Sequence, residues 1–305
     1  MNRFIVITGP TATGKTALSA LVAKGLGSQV ICADSAQIYR GMDIGTAKAT
    51  KEEMLGVRHH MIDIADPGED YTVARFQREA FRIIDSLNEK GVTPVVSGGT
   101  GLYINSLVYE LDFASVKKND AIRQKYAQLA DDKSDLYLYN ILKEKDPNFA
   151  NIISANDRKR IIRRLEVLES GAAQDYDFRR RNERYLYLMI GLTMPRSELY
   201  RRINERVDSM IEKGLVEEAK GLYERYAGAN ALKAIGYKEI IPYLNGEYDL
   251  EEAVRLIKRN TRRFAKRQIT WFKRDERIKW FDVSGCTCID SVANDIIRYI
   301  KGKGF

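Results

Sequence analysis

The spacing of apolar positions divides the chain into three stretches. Over the first hundred or so residues, short apolar runs alternate with amphipathic segments. Residues 3–8 (Phe4, Ile5, Val6, Ile7), 29–33, 57–64 and 93–97 read as strands. Helical spacing follows the first strand (Leu18, Leu21, Val22, Leu26) and recurs from Thr72, a cap candidate, to Lys90, where Gly91 stops it. Strands alternating with helices predict a parallel sheet covered on both faces. From about residue 113 to 183 the spacing is helical only: Ile122, Tyr126, Leu129; Leu138, Ile141, Leu142; Ile161, Leu165, Leu168. Residues 185–192 then read as a returning strand. Helices are predicted at 193–214, 215–226, 236–244 and 249–274, then a strand at 278–283 and a last helix. The expected architecture is an α/β core from 1–112 and 186–305, with a helical insertion over 113–185.

The first strand runs into Gly9-Pro10-Thr11-Ala12-Thr13-Gly14-Lys15-Thr16 and then into a helix. This is the phosphate loop of nucleotide- and ATP-binding proteins, in the strand-before, helix-after context it requires. Its backbone N–H groups wrap phosphate oxygens at a helix N-terminus. Lys15 adds a point charge, and Thr16 is suited to a magnesium ion that keeps part of its water shell. The fold class is therefore a P-loop NTPase-like parallel sheet, and the chain grips a di- or triphosphate. Asp34 ends the second strand. It fits a magnesium carboxylate, a general base or a turn former. Thr100, in Gly98-Gly99-Thr100-Gly101, fits a substrate donor or a helix cap. Ligands in open α/β sheets bind outside the carboxyl ends of strands, where these residues fall.

Charge sharpens the picture once it is located. The chain carries a formal net charge of +8. Between Arg255 and Lys279 there are eleven Lys or Arg against two acids. Two further clusters are Arg158 to Arg164 and Arg179-Arg180-Arg181 with Arg184. One such cluster reads equally as a solvated helix face; three point to an anionic polymer. No apolar run is long enough to span a membrane. Three cysteines (Cys32, Cys286, Cys288) and one histidine pair (His59, His60) make neither a disulfide framework nor a zinc site, which fits a reducing cytosol. The Cys286-Thr287-Cys288 stretch is expected in a turn. Packing and local hydrogen bonds are the expected role of the histidines.

Taken together the motifs resemble the bacterial tRNA dimethylallyltransferases. The resemblance is carried by the phosphate loop and by Asp34-Ser35-Ala36-Gln37-Ile38-Tyr39-Arg40-Gly41-Met42-Asp43-Ile44-Gly45-Thr46-Ala47-Lys48. It continues through Gly98 to Tyr103, Asn156 to Arg160 with Arg164 to Val167, Ile235-Gly236-Tyr237-Lys238, and Lys266-Arg267-Gln268-Ile269-Thr270-Trp271-Phe272. It implies transfer of a prenyl group from dimethylallyl diphosphate to the exocyclic amine of the adenosine 3′ to the anticodon, in tRNAs reading U-starting codons. The loop from Gly9 to Thr16 then holds the prenyl diphosphate, with Mg2+ at Thr16 partly through water. Asp34 becomes the general base, and Arg267 the second diphosphate clamp, with Arg263 one helical turn away.

The resemblance also implies contact with a tRNA anticodon stem-loop, through four stretches and Thr100. They are Asp34 to Gln37 (with Ser35 and Ala36); Lys159, Arg160 and Arg163; Lys233, Gly236, Tyr237 and Lys238; and Lys266, Arg267, Gln268, Trp271 and Lys273. Trp271, Phe272 and Tyr237 fit base stacking and core packing equally. On the last long helix, the stripe Arg259, Arg263, Lys266 and Arg267 is expected to face the catalytic channel, and Arg255, Arg262, Lys273 and Arg274 to meet RNA. A monomer in the cytoplasm is expected. The chain departs from the family at Thr13 (usually serine), at Lys233 (commonly arginine), and at 114–119 and 172–178. An adenylate isopentenyltransferase acting on free nucleotide and a P-loop kinase or ATPase are the competing readings.

Overall fold

The computed structural model describes residues 1–111, 118–171, 180–285 and 289–305. Its centre is a six-stranded sheet in the order β3-β2-β4-β1-β5-β6, with every pairing parallel. The strands are β1 (Asn2–Thr8), β2 (Val30–Cys32), β3 (His59–His60), β4 (Val95–Ser97), β5 (Tyr185–Thr193) and β6 (Ile278–Asp282). β1 lies between β4 and β5, with Val6 opposite Val96 and Met189. Its residues alternate between two apolar layers, as the two-residue strand period requires. Phe4 and Val6 pack with α2 (Val73–Glu89) and α3 (Gly101–Val108). Ile5 and Ile7 pack with α1 (Lys15–Gly25), α8 (Arg196–Glu212) and α12 (Ile289–Gly302). A third core, around Ile38, Met42, Leu222, Tyr237 and Ile257, joins the segment after β2 to α9 (Leu215–Tyr226), α10 (Tyr237–Leu244) and α11 (Leu250–Phe272).

The chain divides into two compact units, residues 1–109 with 181–305, and residues 110–180. The second contains α4 (Asp120–Asp132), α5 (Asp135–Lys145), the short α6 (Pro147–Ala150) and α7 (Arg158–Glu169) around Tyr126, Leu138, Leu142, Ile161 and Leu165. Among its described residues there is no strand. Glu166 is fully buried there and accepts hydrogen bonds from Arg123, Arg163 and the Asn119 N–H.

Two local expectations need correction. The strand expected over 57–64 is only His59–His60, because Met61 and Asp63 adopt left-handed backbone (φ 65° and 54°) that ends extended pairing. Thr100 stands at the N-cap of α3 but its side chain does not cap; its Oγ1 accepts the Ser35 N–H instead (3.0 Å). The divergent stretches at 114–117 and 172–178, and the Cys286-Thr287-Cys288 turn, lie outside the described residues.

Candidate functional site

The loops after β1, β2 and β4 meet at the C-terminal edge of the sheet and wall a cavity that opens to solvent. The phosphate loop forms one side. Gly9 can only be glycine: its φ is 144°, and a Cβ there would lie 2.6 Å from the Leu192 carbonyl oxygen. Thr13 braces the loop from within, its hydroxyl donating to the Pro10 carbonyl (2.8 Å). Gly14, at φ 80°, turns the chain into α1, so the helix N-terminus points at the cavity. Lys15, Thr16 and Thr11 line it.

Lys15 bends back to donate to the Pro10 carbonyl (2.6 Å). Burial first, and the nearby Arg206 charge second, pull its ammonium from the ordinary lysine value down to about 7, against the attraction of Asp34. A site that penalises its own cation in this way is built to receive an anion. Asp34 lines the cavity opposite the loop, its Oδ1 accepting the Ala36 N–H (2.9 Å), so the turn-forming role is realised at a cavity carboxylate. Cys32 lies beside it, its thiol donating to Gln37 Oε1 (3.3 Å) and pushed up to about 12 by burial and the Asp34 charge. Ser19 and Ser97 share a 2.6 Å hydrogen bond in the cavity wall.

Arg206, which the sequence reading missed, completes the site. It comes from α8, lines the cavity, and has Nη1 3.5 Å from the Thr11 hydroxyl. Burial lowers its pKa, opposed by Asp34 and Glu53. Helical spacing places Arg206 among Arg201 and Arg202 on an ordinary amphipathic helix, and nothing local marks it out. Arg267, the expected clamp, is exposed; its guanidinium lies over the Phe264 ring, which lines the cavity, but Arg267 itself does not. The expected stripe is thus corrected: Arg263, Lys266 and Arg267 are exposed, while Phe264 and Gln268 are what α11 turns to the cavity. Two supposed outer cations are engaged within the protein, Arg255 with Glu252 (2.5 Å) and Arg262 with Asn204 (2.6 Å).

Several expected RNA contacts are interior. Tyr237 is fully buried, and its hydroxyl donates to Glu218 (2.7 Å); Phe272 is buried as well, so both rings are core rather than platforms for bases. Trp271 is partly buried against Gly101, where a Cβ would fall 2.4 Å from its Nε1. Gln37 is buried and donates to the Thr46 and Ala47 carbonyls. Gln268 is buried between two loops. Gly236 (φ 104°) gives its N–H to Glu239 (2.8 Å), and Lys233 donates to Asn230 (2.8 Å). Lys238 lies 3.7 Å from the same Glu239. Ser35, Lys159, Arg160, Lys266 and Lys273 are exposed, and Ala36 is partly so. Arg163 is tied to Glu166 (2.7 Å).

The donor set suits a hydrated magnesium ion better than zinc. Thr16 and Asp34 offer hard oxygen ligands, and the described residues hold no cluster of three or more His, Cys, Asp or Glu. His59 and His60 make local contacts, with the Val57 carbonyl and the Gln29 amide. Among the described residues no helix is long and apolar enough to cross a membrane.

Comparison with known proteins identifies the family. The family model for IPP transferase matches residues 37–275, and that for isopentenyl transferase matches residues 2–70. The tRNA dimethylallyltransferase of Carboxydothermus hydrogenoformans is 49% identical over 97% of this chain and 96% of its own. That of Alkaliphilus oremlandii is 48% identical over 99% and 98%. The crystal structure of the tRNA isopentenylpyrophosphate transferase from Bacillus halodurans superposes with a TM-score of 0.75 at 42% identity, covering 99% of this chain and 97% of that one. A eukaryotic dimethylallyltransferase acting on tRNA gives a TM-score of 0.80 at 28% identity, over 98% of this chain and 80% of that one. With a phosphate loop, a strand-end aspartate and a half-buried arginine around one cavity, and relatives at nearly half identity along its whole length, the chain belongs to the tRNA dimethylallyltransferase family.

Proposed function

We propose that this chain transfers the dimethylallyl group of dimethylallyl diphosphate to the exocyclic N6 of the adenosine 3′ to the anticodon, in tRNAs reading U-starting codons, releasing diphosphate. The observation that carries the proposal is the convergence of Lys15, Thr16, Asp34 and Arg206 on one cavity. The reaction breaks the bond between C1 of the prenyl group and the diphosphate oxygen, and forms one from C1 to N6. Negative charge grows on the leaving diphosphate. The phosphate-loop N–H groups and Lys15 stabilise it, with Arg206 as the second cation. The amine is a poor nucleophile until its proton is accepted, and the Asp34 carboxylate takes that proton as the new bond forms. When bound, Mg2+ would be held by Thr16 and the diphosphate, partly through water, and would supply further neutralisation of charge.

Adenosine must leave the anticodon-loop stack to reach Asp34. Ser35 and Thr100 stand beside that carboxylate and are proposed to meet the base. The exposed Lys266, Arg267 and Lys273, and in the helical unit Lys159 and Arg160, are proposed to meet RNA phosphates. We place the enzyme in the cytoplasm, acting as a monomer. Mass spectrometry of nucleosides after incubation with unmodified tRNA, Mg2+ and dimethylallyl diphosphate tests the reading. A prenylated adenosine in tRNA is the expected product. Prenylation of free AMP alone, or phosphate release from ATP, would overturn it.

A further inference from the structure

Gln268 has a place in this site that phosphate contact and base contact both leave unexplained. It is 6% exposed, and its amide bridges two loops far away in sequence. Oε1 accepts the Thr11 N–H of the phosphate loop (2.9 Å), and Nε2 donates to the Gly99 carbonyl of the loop after β4 (2.9 Å). The orientation is dictated by chemistry, since a backbone N–H only donates and a carbonyl only accepts. Thr100, next to Gly99, accepts the Ser35 N–H (3.0 Å), and Ser35 follows Asp34. Its own N–H reaches back to the Ala33 carbonyl (3.2 Å). One continuous set of hydrogen bonds therefore runs from the phosphate loop, through Gln268, to the turn that carries the proposed base.

Gln268 is also part of α11, whose exposed face bears Arg263, Lys266 and Arg267. Its neighbour Arg267 looks outward while Gln268 looks inward, one step of about 100° round the helix. Only a side chain that both donates and accepts at this reach satisfies both loops. An apolar replacement would orphan a buried donor and a buried acceptor. A glutamate would set oxygen against oxygen at Gly99.

We propose that Gln268 is a positioning residue that couples RNA on the outer face of α11 to the geometry of the phosphate loop, so that diphosphate and RNA each tighten the other's binding. The inference rests on the prenyl-transfer reading above. Because Gln268 occupies the Thr11 N–H, the diphosphate is left with the N–H groups from Ala12 onward, and their placement depends on where α11 sits.

The probes are inorganic diphosphate with Mg2+ and an anticodon stem-loop RNA with an unmodified adenosine. In the parent protein, saturating diphosphate is expected to tighten RNA binding by about fivefold or more, the usual lower range for coupled sites. In Q268M that factor should fall to near one, while RNA affinity without diphosphate stays close to the parent's because the exposed cations are intact. Q268E supplies a second, independent readout. Its carboxylate repels Gly99 when ionised and donates to it when protonated, so the ratio of Q268E to parent turnover should rise as pH falls. Lys15, Cys32, Asp34, His59 and Arg206 line the same cavity and are common to both proteins. An equal tightening factor in Q268M and parent, or a Q268E ratio flat with pH, would overturn the proposal. Absence of prenyl transfer by the parent would instead sink the reading of the site, and the coupling would still be decided by binding alone.

Discussion

Helix α7 places five cations in its first seven residues: Arg158, Lys159, Arg160, Arg163 and Arg164. Three are spent inside the helical unit: Arg158 pairs with Asp131 and Asp135 (2.5 Å each), Arg163 with Glu166 (2.7 Å) and Arg164 with Asp146 (2.6 Å). Arg160 lies 3.4 Å from Asp157 but stays exposed, as does Lys159. The second half of α11 and the residues after it look the same in sequence and differ in structure. Arg263, Lys266, Arg267, Lys273 and Arg274 are exposed, with no ion-pair partner among the described residues. Positive charge density along a chain is thus not the same as positive charge available to a polyanion. Acids three residues away or on a facing helix turn an apparent binding surface into internal bracing. A third class, Lys15 and Arg206, is neither surface nor brace: burial keeps these two at a cavity where a diphosphate would restore what desolvation costs.

Mutation of each class should give a different signature, and the largest belongs to the cavity. Asp34→Ala is expected to cut single-turnover prenyl transfer by roughly 10²- to 10⁴-fold, the range for a lost general base, with tRNA binding retained. Near-parent turnover would remove Asp34 from that role. Arg206→Ala should cost about 10²- to 10³-fold in the chemical step at saturating tRNA, as for one lost stabiliser of developing charge, while Arg267→Ala chiefly raises the tRNA Michaelis constant. The reverse result would restore Arg267 as the clamp.

Lys15 adds a pH signature. Burial pulls the Lys15 ammonium down to about 7, and a bound diphosphate is expected to favour that ammonium form. Above pH 7 binding must take up a proton, so affinity should fall with rising pH, by up to tenfold per pH unit, until the higher pKa of the complex is reached. In Lys15→Met that component should vanish, leaving weaker binding whose remaining pH dependence is the ligand's own. Calorimetry in buffers of different ionisation enthalpy reads the proton uptake directly.

Within the helical unit the expected loss is stability. Burial raises the pKa of Glu166, but hydrogen bonds from Arg123, the Asn119 N–H and Arg163 outweigh it and hold the carboxyl below its ordinary value. The stabilisation is present above the unfolded-state carboxyl pKa and is lost as pH falls through the lower folded-state value. Glu166→Gln should cost about 1–3 kcal/mol, as for a buried hydrogen-bonded group left mismatched, and remove that acid sensitivity. Diphosphate binding should be unaffected, and denaturant melts at pH 7 and pH 4 check both halves. The smallest effect sharpens the comparison most. Lys266→Gln should lower the slope of log tRNA affinity against log salt by about 0.7, one single-stranded phosphate contact. Arg158→Gln, already paired to two aspartates, should leave the slope alone and change only stability. Equal slopes for both variants would mean that the two helices act as one diffuse attractor.

The phosphate loop, the alternation of strands and helices, the Thr72 cap and the run of helices between β4 and β5 are all written in short windows of sequence. Each depends on backbone geometry or burial period within a few residues of itself, which is why reading the chain alone reaches them. Thr72 indeed accepts the Arg75 N–H, and α9 runs from Leu215 to Tyr226 as its spacing predicts. The family motifs were legible for the same reason, being contiguous strings. What the sequence could not decide is which side chains of those strings face inward. Tyr237 and Phe272 are core, and Gln268 is a brace between loops. Arg206 joins the site from a helix that, by sequence alone, is merely amphipathic, meeting a threonine 195 residues away. Whether a cation is free, paired or buried depends on acids and cavities brought together by tertiary packing. Local spacing carries no record of those distances, so the three classes of positive charge separate only in the folded molecule.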